Sequence, residues 1–333
     1  MMNSNLRLFS NGLVLFLLAF CTLLPTACNK TTDNPCDDYR QAMRDFVIRI
    51  SETAHAQDAD FIVIPQNGIP LVTLGDDAES ELAVDYLAAI DGHGQEDLFY
   101  GSENDDEPTP IATRNELLAY LRRSYMAGNS ILITDYCIRD EYVTDAHVHC
   151  DGEGFISFTA SSRELDVIPT EDPYHENAND IVRLSDAQNF LYLINPEHFS
   201  SRLNFVDSVC ATNYDVVIMD LFFHDGTAFT AAEVERMQHK ANGGKRLVIC
   251  YLSIGEAEDY RYYWQSTWSQ QAPDWLDKEN PSWPGNYKVH YWHPAWQNLI
   301  CGTGDSYLNR ILNAHFDGVY LDIIDAFEFF ESN

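Results

Sequence analysis

The sequence is short of positive charge. Lys and Arg together number 20 against 52 Asp and Glu, a formal net charge of −32. Such acidity argues against nucleic acid and anionic membrane surfaces as binding partners, both being polyanions, and favours cationic ligands; acidity also serves plain solubility. Several chemical signatures are missing as well. No Cys-x-x-Cys occurs, which leaves a Cys-based zinc site unsupported. No glycine-rich phosphate loop follows a strand, and there is neither a Gly-x-Ser-x-Gly elbow nor a His-Glu-x-x-His helix. The pairs His147/His149 and His290/His293 follow neither a strand end nor such a helix, so no metal and no cofactor is expected.

Long apolar runs are nearly absent too. The exception is residues 13–24, preceded by Arg7 and followed by Pro25-Thr26-Ala27-Cys28. The run is short for a membrane span and is built like an export signal. Small residues before Cys28 resemble a bacterial lipoprotein signal, implying cleavage there, acylation of Cys28 and a lipid-anchored protein of the cell envelope; the alternative is a plain secretory signal. The expected organisation is a signal over residues 1–27, a polar tether over 28–36 and one domain over 37–333. Exported proteins are free to form disulfides, and Cys137 and Cys150, flanking one expected loop, are the first pair to test.

From residue 37 onward strands and helices alternate, which argues for a parallel sheet. Helices are expected over residues 37–56, 79–87, 114–127, 199–210, 230–241 (opened by a Thr230-x-x-Glu233 capping box) and 296–312. Nine candidate strands cover residues 61–64, 88–92, 131–134, 155–160, 190–194, 215–219, 247–253, 288–292 and 316–322. Eight would close a (β/α)8 barrel, and 155–160 is the one expected to be extra. Four strands end on Asp135, Asp220, Glu256 and Asp322, and barrel active sites sit on that rim. A doubly wound open sheet is the structural alternative.

Seven stretches together resemble one family. They are Tyr214 through Asp220, the Tyr251-Leu252-Ser253-Ile254-Gly255-Glu256-Ala257-Glu258 run to Arg261, Val289 through Trp292, Asp317-Gly318-Val319-Tyr320-Leu321-Asp322, Phe61 through Pro65-Gln66-Asn67-Gly68, Ile90 through Glu96 to Tyr100, and Ile133-Thr134-Asp135-Tyr136. This set is similar to the TM1410/MJ1477-type glycoside hydrolases, relatives of the endo-α-1,4-polygalactosaminidases of glycoside hydrolase family 114. The resemblance implies a (β/α)8 TIM barrel, and a difference in order. In the family the Asp-Gly-Val-Tyr-Leu-Asp strand lies mid-chain; here the pieces that should follow it come first, so the barrel looks circularly permuted. The helix at 37–56 has no strand before it, and Asp322 ends a strand with almost no helix after it. The two loose ends complete one unit if they meet, which predicts a helical turn after Asp325 beside the first helix, and parallel pairing of 61–64 with 319–321.

Glycoside hydrolysis needs two carboxylates about the scissile bond. The resemblance maps this pair to Asp322, as nucleophile, and Glu96, as general acid/base. Each also has an ordinary reading: Asp322 as a helix cap and Glu96 as a solvated loop residue. Asp220, Asp135, Glu256, Glu258, Asp325 and Asn67 are candidates for binding sugar hydroxyl or amino groups, although Glu256 could instead pair with Arg261. Tyr251, Tyr320 and Trp292 lie at strand ends. All six Trp fall between Trp264 and Trp296, suited to stacking on sugar faces or holding an amine, with at least half expected in the core. The expected partner is a polysaccharide or oligosaccharide, an amino-sugar polymer suiting the charge. The rival is a non-catalytic carbohydrate-binding lipoprotein on a barrel scaffold; a deacetylase would want a metal triad.

Overall fold

The computed structural model describes residues 36–332; the signal, Cys28 and nearly all of the tether lie outside them. Eight strands run parallel in two sheets. The first holds β1 (Ile62–Pro65), β5 (Phe190–Tyr192), β6 (Val216–Met219), β7 (Leu247–Ser253) and β11 (Gly318–Asp322), in the order β1-β11-β7-β6-β5. The second holds β2 (Gly92–Glu96), β3 (Ser130–Tyr136) and β4 (Ile156–Ala160), in chain order. A parallel bridge between Gln66 and Gly94 joins the two, reinforced where Asp91 N donates to Val63 O at 2.9 Å and Asn67 N to Gly94 O at 2.8 Å. At the opposite border Phe158 rests on Phe190, ring centroids 5.5 Å apart, with no ladder between β4 and β5 among the described residues. A small antiparallel sheet of β8 (Glu256–Glu258), β9 (Leu276–Glu279) and β10 (Asn286–Val289) follows β7.

The helices are α1 (Tyr39–His55), α2 (Val84–Ala88), α3 (Ile111–Met126), α4 (Asp140–Glu153), α5 (Arg202–Cys210), α6 (Ala231–Met237), α7 (Pro294–Cys301), α8 (Tyr307–Asn313) and α9 (Ala326–Glu331). Local chemistry starts them. Asp38 accepts from Gln41 N at 2.8 Å to cap α1, and α6 carries the expected Thr230/Glu233 capping box. One face of α1, with Met43, Phe46, Val47, Ile50 and Ala54, is fully buried.

The first and last helices meet. The Arg40 guanidinium donates twice to the Glu331 carboxylate, at 2.9 and 3.2 Å, and Tyr39 stacks on Phe330 at 5.5 Å. Between them β1 pairs in parallel with β11, Ile62 opposite Gly318 through Pro65 opposite Leu321.

Several local expectations are corrected. Residues 155–160 form β4, a member of the parallel set, whereas the 288–292 segment is displaced into β10, whose Lys288 lies antiparallel to Glu256. The expected 88–92 strand is β2, four residues later. The expected helix at 79–87 shrinks to α2 because backbone groups upstream are taken by a Thr73–Leu82 bridge. Residues 137–150 are no loop; α4 lies there, and Cys137 and Cys150 are buried free thiols. The 296–312 helix breaks at Gly302 into α7 and α8, and α6 stops at Met237.

Candidate active site

Parallel pairing sets the ends of β1, β2, β3, β5, β6, β7 and β11 around one cavity of about 280 Å3. Asp322 stands opposite Ser253 on β7, and Gln66 N donates to Leu321 O at 2.8 Å. The cavity is lined by Asp322 and Glu96, and also by Asn67, Asp220, Tyr251, Glu256 and Asp325.

Asp322 accepts from Tyr251 Oη at 2.6 Å and from Ile323 N at 2.7 Å. Burial pushes its pKa up to about 7; the Tyr251 hydrogen bond opposes this, and the nearby negative charges of Glu96 and Asp325 add to it. Ile323 sits in the left-handed region at φ 59°, unusual for a β-branched residue, and turns the chain sharply from β11 toward Asp325. Burial also raises Asp325, to about 6, the Glu328 charge helping. Gly68 lets the β1 loop approach this turn: a Cβ there would lie 2.9 Å from Ile324 Cγ2 and 3.2 Å from Asp325 N.

Glu96 ends β2 and is held from three sides. Gln66 Nε2 donates to Oε2 at 2.5 Å, Asn67 Nδ2 donates to the same oxygen at 3.1 Å, and Tyr136 Oη donates to Oε1. Tyr192 Oη in turn donates to Gln66 Oε1 at 2.5 Å, which fixes which end of the Gln66 amide faces Glu96. Asn67 Oδ1 accepts from Glu96 N at 3.1 Å.

β2 reads Gly92-His93-Gly94-Gln95-Glu96 because Leu184 takes the space at Gly92 and Tyr320 of β11 that at Gly94. A Cβ on Gly94 would fall 1.9 Å from Tyr320 Oη. Tyr320 is therefore fully buried against Tyr192, rings 5.2 Å apart, beneath the cavity rather than on its wall. Asp135 is also off the wall. Adjacent strand residues point to opposite faces, so Tyr136 reaches Glu96 while Asp135 turns outward to accept from Phe99 N and Tyr100 N at 2.8 and 3.0 Å. Burial raises its pKa to about 7.

On the other wall Arg261 joins two carboxylates. It donates to both Asp220 oxygens at 2.8 and 2.6 Å and to Glu258 at 2.5 Å. Burial disfavours the charged guanidinium, but Asp220 and Glu258 outweigh it and hold Arg261 protonated. Glu256 therefore does not pair with Arg261; Lys288 Nζ lies 2.6 Å from its Oε1 and Asn280 Nδ2 donates to that oxygen at 2.8 Å.

The tryptophans divide. Trp275 and Trp296 are core, and Trp264, Trp268 and Trp292 pack partly buried against it. Trp292 lies outside the cavity, against Tyr39 at 5.1 Å and Phe330 at 4.8 Å, where the two end helices meet. Trp283, 55% exposed, lines the cavity. The residues missed from sequence are Gln66, Tyr136 and Tyr192, which hold Glu96; Tyr136 beside Asp135 was the available signal. Among the described residues no three His, Cys, Asp or Glu converge to hold a metal ion, and no helix is long and apolar enough to cross a membrane.

Residues 176–333 match glycoside-hydrolase family GH114. The GH114 match takes in Asp220, Tyr251, Glu256, Glu258, Arg261, Asp322 and Asp325, while Asn67, Glu96 and Tyr136 precede it. The chain is also similar to three uncharacterized proteins. MJ1477 of Methanocaldococcus jannaschii is 37% identical over 158 residues, 47% of this chain and 42% of the relative. A protein of Deinococcus radiodurans is 44% identical over 128 residues, 38% of each chain. One of Thermotoga maritima is 36% identical over 121 residues, 36% of each. The matches thus span about two fifths of each relative. The GH114 similarity supports a glycoside hydrolase in general, with a carbohydrate substrate.

Proposed function

We propose that this chain is a glycoside hydrolase that cleaves an exported or environmental polysaccharide, with Asp322 as nucleophile and Glu96 as general acid/base. The observation that carries the reading is that both carboxylates line one cavity at strand ends, each fixed by hydrogen-bond donors. An amino-sugar polymer of the α-1,4-galactosamine type suits the surroundings. A second cavity of about 410 Å3 shares Asn67, Glu96 and Asp325 with the first, so a chain can continue past Glu96; its other charged groups are Asp97, Glu116 and Glu328, with no Lys or Arg. A bound ammonium would draw the raised Asp322 pKa down and ionise it. We read the eight parallel strands as a closed, circularly permuted (β/α)8 barrel, supported by the β1–β11 pairing and the Arg40–Glu331 contact.

The three donors on Glu96 favour a second assignment, with Glu96 as nucleophile and Asp322 as the acid. The test begins with reducing-end release from partly deacetylated α-1,4-galactosamine polymer. Asp322→Asn and Glu96→Gln each abolish release while the far-ultraviolet circular dichroism stays unchanged; undiminished release by either variant removes that residue from the pair. Mass mapping of a trapped glycosyl-enzyme names the nucleophile. Envelope anchoring through acylated Cys28 is tested by Cys28→Ser, which should move the protein from the membrane to the soluble fraction.

A further inference from the structure

Between β4 and β5 the chain makes no α-helix. The connection contains only a 3-10 turn, Leu184–Asp186, whereas the other parallel strands of the set are joined through α-helices. Beside the gap lies a cavity of about 380 Å3, which shares no lining residue with the one that holds Asp322 and Glu96. Its volume falls in the range of small-molecule sites, roughly 300–1,000 Å3.

The lining is aromatic and acidic. Phe158 and Phe190 lie 5.5 Å apart, Tyr214 meets Phe158 edge-on at 6.5 Å, and Tyr174 stacks on the His147 ring at 4.1 Å. The lining's carboxylates are Asp140, Glu171 and Asp172, the last two raising the Tyr214 pKa after burial itself; no Lys or Arg lines it. His147 adds no charge at neutral pH, since burial lowers its pKa to about 4. Aromatic faces carry negative potential and attract organic cations, more strongly where water is excluded.

We propose that this cavity is a second binding site, for an organic ammonium ion with apolar substituents. The rings surround the alkyl groups, and Glu171 and Asp172 supply the opposite charge. A neutral hydrophobe gains only the contact, and an anion is repelled.

The test is isothermal titration of the full chain with choline, against its neutral isostere 3,3-dimethylbutan-1-ol. Choline should bind at least about tenfold more tightly, a gain between that of an exposed and that of a fully desolvated cation–aromatic contact. The exposed pair Glu171→Gln/Asp172→Asn should weaken choline severalfold, and Val143→Trp, which fills the cavity, should abolish it. Absence of choline binding at tens of millimolar, equal binding of the isostere, or choline binding unchanged in both variants would each overturn the proposal. The last outcome would mean that the cation binds outside this cavity.

Discussion

Replacing Asp322 with Asn should make the protein more stable at neutral pH and leave it unchanged in acid. The Asp322 pKa is raised from 3.8 to about 7 by burial, with the charges of Glu96 and Asp325 adding to it. In the unfolded chain the same group ionises near 4. Below that pH both states hold the proton and the acid resembles the amide. Between about 4 and 7 the unfolded chain has released its proton while the folded protein keeps it, so the wild type loses about 1.4 kcal/mol per pH unit. Above 7 both are ionised and the loss is constant. The full shift corresponds to about 4 kcal/mol; the carboxylate is partly screened through the cavity, so about 2–4 kcal/mol is expected. Urea denaturation of both proteins from pH 4 to 8.5 measures it, and the difference isolates Asp322 from Asp135, Asp317 and Asp325, which are raised in the same window. A stability difference that is flat with pH, or an Asn variant less stable at pH 8, would refute this account of the site.

Arg261→Leu strands Asp220 and Glu258 as buried charges and should cost about 3–5 kcal/mol in chemical denaturation; a loss below about 1 kcal/mol would mean the three are not mutually compensating. Tyr192→Phe frees the Gln66 amide to turn its oxygen toward Glu96, so kcat for polymer cleavage should fall about tenfold with little change in KM, as for loss of one hydrogen bond to a charged group; an unchanged kcat would show that the amide is fixed by other contacts. Trp283→Ala should raise KM severalfold, as stacking contacts are lost, while Trp292→Ala leaves KM alone; the reverse pattern would place the sugar at the junction of the end helices.

Strands with apolar residues on both faces were legible in sequence, because a strand covered on both sides needs nothing else. β6 and β7, entirely buried, show this. β2 was misplaced for the converse reason. Its inward face is Gly92, Gly94 and Glu96, since Leu184 fills the space at Gly92 and Tyr320 that at Gly94, and no local pattern announces side chains arriving from elsewhere in the chain. The 288–292 segment has strand-like composition, but composition does not say which sheet a strand joins. β10 was taken into the small sheet by pairing with β8 and β9. Asp220, Glu256 and Asp322 could be named from strand ends and Glu96 only from the family resemblance, while Asp135 could not be told from Tyr136, because one residue of register decides which of two neighbours faces inward. Tyr192, reaching Gln66 across 126 positions, lies beyond any local signal.

The β1–β11 ladder also dictates an order of events as the chain emerges. Ile62 must wait for Gly318, its partner 256 positions later, before the strand gains its neighbour. Until then β1 and β7 both present an unpaired edge, the surface most prone to joining another chain. Closing so long a loop costs little in final stability but much in time. Nascent chains of this protein should therefore lean heavily on holding factors, and truncations that remove β11 should aggregate, since they leave the facing edges of β1 and β7 both unpaired.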